Sequence, residues 1–189
     1  MKPLVGLFAA LVPACAMAQG GVTLKGGVSY GNVSNAGALP GNLDNRTGFV
    51  GGVALNSGDL LGLGIEGLYA QRGLDSSTPG DARRLDYIDV PVYLRLTAPT
   101  PGITPFAYAG PQASFELSCS ANGVSCPETG RPKTTYAGVI GAGVRLGALG
   151  GLSLEGRYVY GLTDLKLSTV NSSSSYKTRS FLLLAGIGF

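Results

Sequence analysis

The chain has 189 residues, 13% of them charged, with a formal charge of +3, no histidine, no tryptophan and 31 glycines. Charges this sparse, with no basic stripe interleaved with aromatics, argue against a nucleic-acid partner, and the missing histidine removes the usual general base and the commonest transition-metal ligand. Mean hydropathy is positive, yet beyond the N-terminal segment no stretch approaches the roughly 18 consecutive apolar residues of a membrane helix, so the apolar surface must enter a large core or face lipid along strands.

Lys2 precedes an apolar run from Leu4 to Ala16, and Ala16-Met17-Ala18 offers a small-x-small cleavage site. Residues 1–18 are therefore expected to be a signal peptide, and residues 19–189 one β-barrel domain beginning at Gln19. A lipoprotein signal that keeps acylated Cys15 is the alternative, though Pro13 suits it poorly. An uncleaved helix is too short for a hydrocarbon core of about 30 Å.

Strand-like alternation follows at residues 22–31, 47–56, 60–72, 86–97, 105–118, 134–147, 152–163 and 177–189. The connectors at 32–46, 73–85, 119–133 and 164–176 are long, and those at 57–59, 98–104 and 148–151 are short. Long and short connectors that alternate predict an all-β fold, an eight-stranded antiparallel up-and-down transmembrane β-barrel with four loops at one end and three turns plus both termini at the other. About ten residues per strand at ~3.3 Å each, tilted ~45°, cross roughly 23 Å, close to the ~25 Å apolar band of outer-membrane barrels.

One face of every segment is free of charge, as in Val22, Leu24, Val28 and Tyr30, or Ile88, Val90, Val92, Leu94 and Leu96. The other face carries Lys25, Glu66, Arg72, Asp89, Arg95, Glu116, Arg145, Glu155 and Arg157 among glycines. A soluble barrel of the lipocalin kind would reverse the faces and crowd its exterior with Lys, Glu and Thr. Few charges of mixed sign suit a cramped lumen in which long side chains pair. Tyr30, Tyr69, Tyr136 and Tyr160 fall toward the loop ends, as an aromatic girdle would.

Gly62-Leu-Gly-Ile-Glu-Gly67 matches a dinucleotide fingerprint but sits inside a strand with no helix to follow, so no cofactor is expected. Carboxylate chemistry through Glu66, Asp89, Glu116 or Glu155 is formally open; neutralisation of Arg72, Arg95, Arg145 and Arg157 is the simpler role. Cys119 and Cys126 bracket six residues of the third long loop and are expected to form a disulfide in an oxidising envelope, with free thiols as the alternative.

Several segments resemble the PorT-like outer-membrane β-barrel family: Leu24-Lys-Gly-Gly-Val-Ser-Tyr-Gly-Asn32, Gly64-Ile-Glu-Gly-Leu-Tyr-Ala-Gln-Arg-Gly73, Leu85-Asp-Tyr-Ile-Asp-Val-Pro-Val-Tyr-Leu-Arg95, Tyr108-Ala-Gly-Pro-Gln112 and Arg157-Tyr-Val-Tyr-Gly-Leu162. The resemblance implies an integral protein of the bacterial outer membrane with the build of the OmpA and OmpX barrels, in contact with outer-membrane lipid. It implies little about activity. The C-terminal assembly signal read by the barrel-assembly machinery would rest on Ile187 and Phe189, because Leu184 stands where such signals often have glycine.

The expected function is a monomeric structural or interaction scaffold, not an enzyme, that shows four extracellular loops to a ligand or protein partner. A narrow pore for ions or small solutes is the alternative. A serine hydrolase or acyltransferase would need the histidine this chain lacks.

Overall fold

The computed structural model describes residues 21–33, 43–45, 47–76, 83–121, 124–125, 133–147, 151–162, 165–169, 172–176 and 178–189. The expected signal peptide, Cys15 and Cys126 lie outside the described residues.

Eight long strands build the fold: β1 Val22–Val33, β2 Thr47–Asn56, β3 Leu61–Ser76, β4 Arg83–Thr97, β5 Ile103–Ala121, β6 Thr134–Leu146, β7 Leu152–Gly161 and β8 Thr178–Gly188. Each pairs antiparallel with its sequence neighbours. The last returns to the first, from Thr23 opposite Gly188 to Val33 opposite Thr178, and the sheet closes. A closed sheet pairs the backbone N–H and C=O groups of every spanning strand internally, which lipid demands because it offers them no partner.

Period-2 alternation decides which side chains meet lipid. On β7 Ser153, Glu155, Arg157 and Val159 are buried, while Leu154 and Tyr158 point out. On β8 Ser180, Leu182, Leu184 and Gly186 turn inward, and Phe181, Leu183, Ala185 and Ile187 turn outward. The outer surface is a band of Leu, Ile, Val and Phe, exemplified by Leu24, Phe49, Val53, Leu63, Leu94 and Ile140, all exposed with no protein over them. Lipid is the solvent that tolerates such a surface.

Three tight turns join β2 to β3, β4 to β5 and β6 to β7, and each contains a glycine at positive φ: Gly58 (80°), Gly102 (85°) and Gly151 (79°). Left-handed backbone favours glycine there because a Cβ would strain it. At the opposite end the strands run further than the sequence pattern suggests. β3 continues to Ser76, β4 starts at Arg83 and β5 reaches Ala121, where loops were expected from 73 to 85 and from 119. Backbone pairing needs no apolar side chain, so a ladder can rise beyond the membrane after the alternation has dissolved into polar residues. Leu43–Asn45 and Val124–Ser125 add short pairings to β3 and β5, and Leu165–Thr169 pairs with Ser172–Tyr176 inside the fourth long connector.

Of the tyrosines expected in a girdle, Tyr30 and Tyr136 are exposed while Tyr69 and Tyr160 are half-buried. Phe181 and Tyr158 join the belt, since Tyr30 stands opposite Phe181 and Phe181 opposite Tyr158. The chain ends in register: the Phe189 N–H donates to the Val22 carbonyl at 2.8 Å and its ring is 78% exposed.

Folded protein in detergent should therefore migrate at a different apparent mass before and after boiling, because a closed sheet has no free edge from which to unravel. Deleting Phe189 removes a seam bond and a lipid-facing ring, and should lower the heat-modifiable fraction recovered with outer membranes. Recovery of the intact chain as a detergent-free soluble monomer would contradict the fold.

Candidate functional site

The lumen is filled by side chains rather than open. Tyr93 on β4 and Tyr108 on β5 lie with ring centroids 4.6 Å apart, both buried. Two glycines make room for them. A Cβ on Gly64 would come within 2.1 Å of the Tyr93 ring, and one on Gly141 within 2.3 Å of Tyr108. No real side chain fits at such distances, so these positions serve the tyrosines across from them.

The tyrosines frame a closed ring of charges. Lys25 Nζ, on β1, donates to Glu66 Oε1 on β3 and to Glu155 Oε2 on β7, each at 2.7 Å. Arg157 Nη2, also on β7, donates to Glu66 Oε2 at 2.6 Å and to Glu155 Oε1 at 2.9 Å. The Tyr93 hydroxyl lies 2.7 Å from Glu66 Oε1 and 2.9 Å from Asn56 Oδ1. Tyr108 donates to Glu155 Oε1 at 3.0 Å and accepts from Arg157 Nε at 2.7 Å. All four charged side chains are at most 5% exposed. Two cations and two anions cancel, and every carboxylate oxygen has at least one donor.

Further toward the loops Arg72 pairs with Asp89 and lies 5.0 Å over the Tyr87 ring. Asp89 Oδ1 has no hydrogen-bond partner among the described residues. Val50, Leu68, Ala70, Ala137, Val139, Val159, Leu182 and Leu184 add an apolar cluster to the same interior.

The expected neutralisation of every lumen arginine by a carboxylate needs correcting. Arg145 and Glu155 do not meet: Arg145 stands opposite Ser153 and Glu155 opposite Gly143, while Glu155 is taken by Lys25 and Arg157. A short turn brings strands together but the register decides the pairs. Nor do the charges match one for one along the lumen. Glu116 is half-buried near the loop end of β5, its N–H donating to the Lys133 carbonyl, whereas Arg145 stands opposite Thr104 near the turn end. Twelve residues of strand at ~3.3 Å each, tilted ~45°, separate those levels by roughly 28 Å.

Sequence reasoning overlooked Tyr93, Tyr108, Asn56 and the apolar cluster. Parity could have found the tyrosines, since Asp89, Pro91, Tyr93 and Arg95 share one face of β4, as Tyr108, Gln112 and Ser114 do on β5. Gly62 and Gly64 line the interior and Gly67 faces outward in the middle of β3, so the dinucleotide-like spacing has no phosphate-binding turn. Cys119 lies on β5.

A closed eight-stranded antiparallel barrel, apolar outside and charged within, defines an integral β-barrel protein of the bacterial outer membrane. The chain belongs to the outer membrane protein beta-barrel domain family, whose profile matches residues 3–189. Among solved structures it is similar to Ail, the attachment invasion locus protein of Yersinia pestis, with TM-score 0.52 and 16% identity over 90% of this chain and 99% of that one. It is similar to OprG from Pseudomonas aeruginosa at TM-score 0.54 and 10% identity, covering 91% and 96% of the two chains. The outer membrane enzyme PagL gives TM-score 0.53 and 13% identity, covering 87% and 98%. These likenesses are of fold. No curated protein sequence matches the chain.

Glu155→Ala should lower stability by about 3–5 kcal/mol, because Lys25 and Arg157 are then left to share Glu66 in a desolvated lumen. Arg145→Ala should cost much less, since no carboxylate loses its partner. Urea titration of vesicle-reconstituted protein, followed by circular dichroism, measures both; an equal loss for the two variants would show that the ring has no special weight.

Proposed function

We propose that this protein is a non-conducting, non-enzymatic scaffold of the outer membrane, in the PorT-like branch of its family, whose barrel holds four long loops toward the cell exterior for a ligand or protein partner. The observation that carries the reading is the filled lumen: a neutral ring of Lys25, Glu66, Glu155 and Arg157, framed by Tyr93 and Tyr108, with apolar side chains in the same interior. Eight strands leave space for side chains and little else, and here the side chains take it. That weighs against the narrow pore.

The absence of histidine supports a non-enzymatic role, because the remaining interior carboxylates of the ring already serve as ion-pair acceptors. Rigid barrels with loops at one end are a common way to hold recognition surfaces in place. The barrel is proposed to act as a monomer, to be inserted through recognition of Ile187 and Phe189 by the assembly machinery, and to have the third loop clamped by a Cys119–Cys126 bond after removal of residues 1–18. No cofactor is part of this reading.

In planar bilayers the purified barrel should give no stable single-channel conductance; reproducible ion-selective steps from the wild type would replace the scaffold by a transporter. Surface cross-linking through the long loops of intact cells, followed by outer-membrane purification, should recover a partner that a loop-shortened barrel loses. Intact-mass measurement should find a chain beginning at Gln19 with two thiols that react only after reduction, and acylated Cys15 at the N-terminus would reassign the leader to a lipoprotein.

A further inference from the structure

The lumen charges do not sum to zero. The ring of Lys25, Glu66, Glu155 and Arg157 is neutral, and Arg72 with Asp89 is neutral. Glu116 stands near the loop end, which leaves Arg95 on β4 and Arg145 on β6, both toward the turn end, with no carboxylate partner among the described residues. Arg95 is only 7% exposed, its Nε is buried without a hydrogen-bond partner, and its guanidinium lies 3.9 Å over the Phe106 ring of the intervening strand. Arg145 is half-buried, and the two arginines flank the same strand, Arg95 opposite Tyr108 and Arg145 opposite Thr104, four residues nearer the turn. Thr104, on the inward face of β5 opposite Arg145, adds a hydroxyl.

We propose that Arg95 and Arg145 form a binding site for a phosphate-type oxyanion in the turn-side mouth of the barrel. An uncompensated buried cation is costly, and a second one beside it more so. A tetrahedral oxyanion offers what both lack: negative charge and several acceptors that planar guanidinium forks engage two at a time. Phe106 fixes the Arg95 guanidinium by stacking, so that ordering the fork on binding loses little entropy. The mouth opens where outer-membrane barrels face the periplasm, so the ligand is either free inorganic phosphate or the phosphate of an inner-leaflet lipid headgroup bending over the short turns.

The full mature barrel, folded in a non-ionic detergent and phosphate-free buffer, is titrated with inorganic phosphate while thermal unfolding and the phosphorus resonance are followed, with sodium chloride at matched ionic strength as the control. Saturable stabilisation by phosphate beyond that of chloride is expected. Arg145→Gln should weaken it at least tenfold, and in phosphate-free buffer that variant should be no less stable than the wild type because a repulsion has gone. Arg145→Lys, which keeps the charge and loses the fork, should fall between them. Heat-modifiable migration checks that each variant is folded. In nanodiscs of phosphatidylglycerol, loss of the free-phosphate response in the wild type assigns the site to a lipid headgroup, and its retention assigns it to soluble anion. Absence of a saturable response in both detergent and nanodiscs, or an undiminished response in both Arg145→Gln and Arg95→Gln, would overturn the proposal.

Discussion

The ion-pair ring at the centre of the lumen is the constraint on which the rest of the molecule depends. On a water-covered surface such pairs contribute little, since solvent screens them and the side chains lose freedom in making them. Inside a sheet walled by lipid, each charge has left water, and the arrangement holds only if every carboxylate oxygen finds a donor. Glu66 and Glu155 achieve this with six hydrogen bonds, four of them from Lys25 and Arg157, which each serve both carboxylates. Two tyrosine hydroxyls complete the set, and their rings in turn require the bare backbones of Gly64 and Gly141. The glycines at these two positions thus follow from the polar chemistry at the centre.

The fold inverts the usual division of labour between surface and interior. Outward side chains meet a fluid apolar solvent and need only be apolar, so Leu, Val, Ile and Phe interchange along β1 to β8 with no evident jigsaw. Inward side chains must be specified one by one. This is why lipid-facing positions such as Leu94, Leu96, Leu154 and Ile187 were legible from alternation alone, along with the strand count and the short turns. The partners inside were not. Lys25 reaches Glu66 across one intervening strand, and Glu66 meets Arg157 from a position 91 residues away in sequence. Those meetings depend on the stagger between strands, which no local pattern encodes.

Counting charges proved a poor guide to pairing, since a tally of signs conceals their heights. Glu116 and Arg145 balance in a tally and stand at opposite ends of the barrel. The loop ends were misjudged for a different reason: alternation in the sequence reports which side chains meet lipid, whereas a strand ends only where backbone pairing ends. β3, β4 and β5 continue past the expected loop boundaries, to Ser76, Arg83 and Ala121.

The connectivity of the ring also sets a timetable. Lys25 belongs to the first strand and Glu155 to the seventh, 130 residues apart, so the neutral arrangement cannot exist until nearly the whole chain has been gathered. Contacts of such long sequence separation form late and slowly, because the intervening chain must first surrender its entropy. Until then a half-rolled sheet would carry unpaired charges on one face and greasy residues on the other, suited neither to water nor to the membrane core. Stability is therefore acquired almost all at once, near closure of the seam between β1 and β8, and any catalyst of insertion has to shelter an amphiphilic intermediate up to that moment.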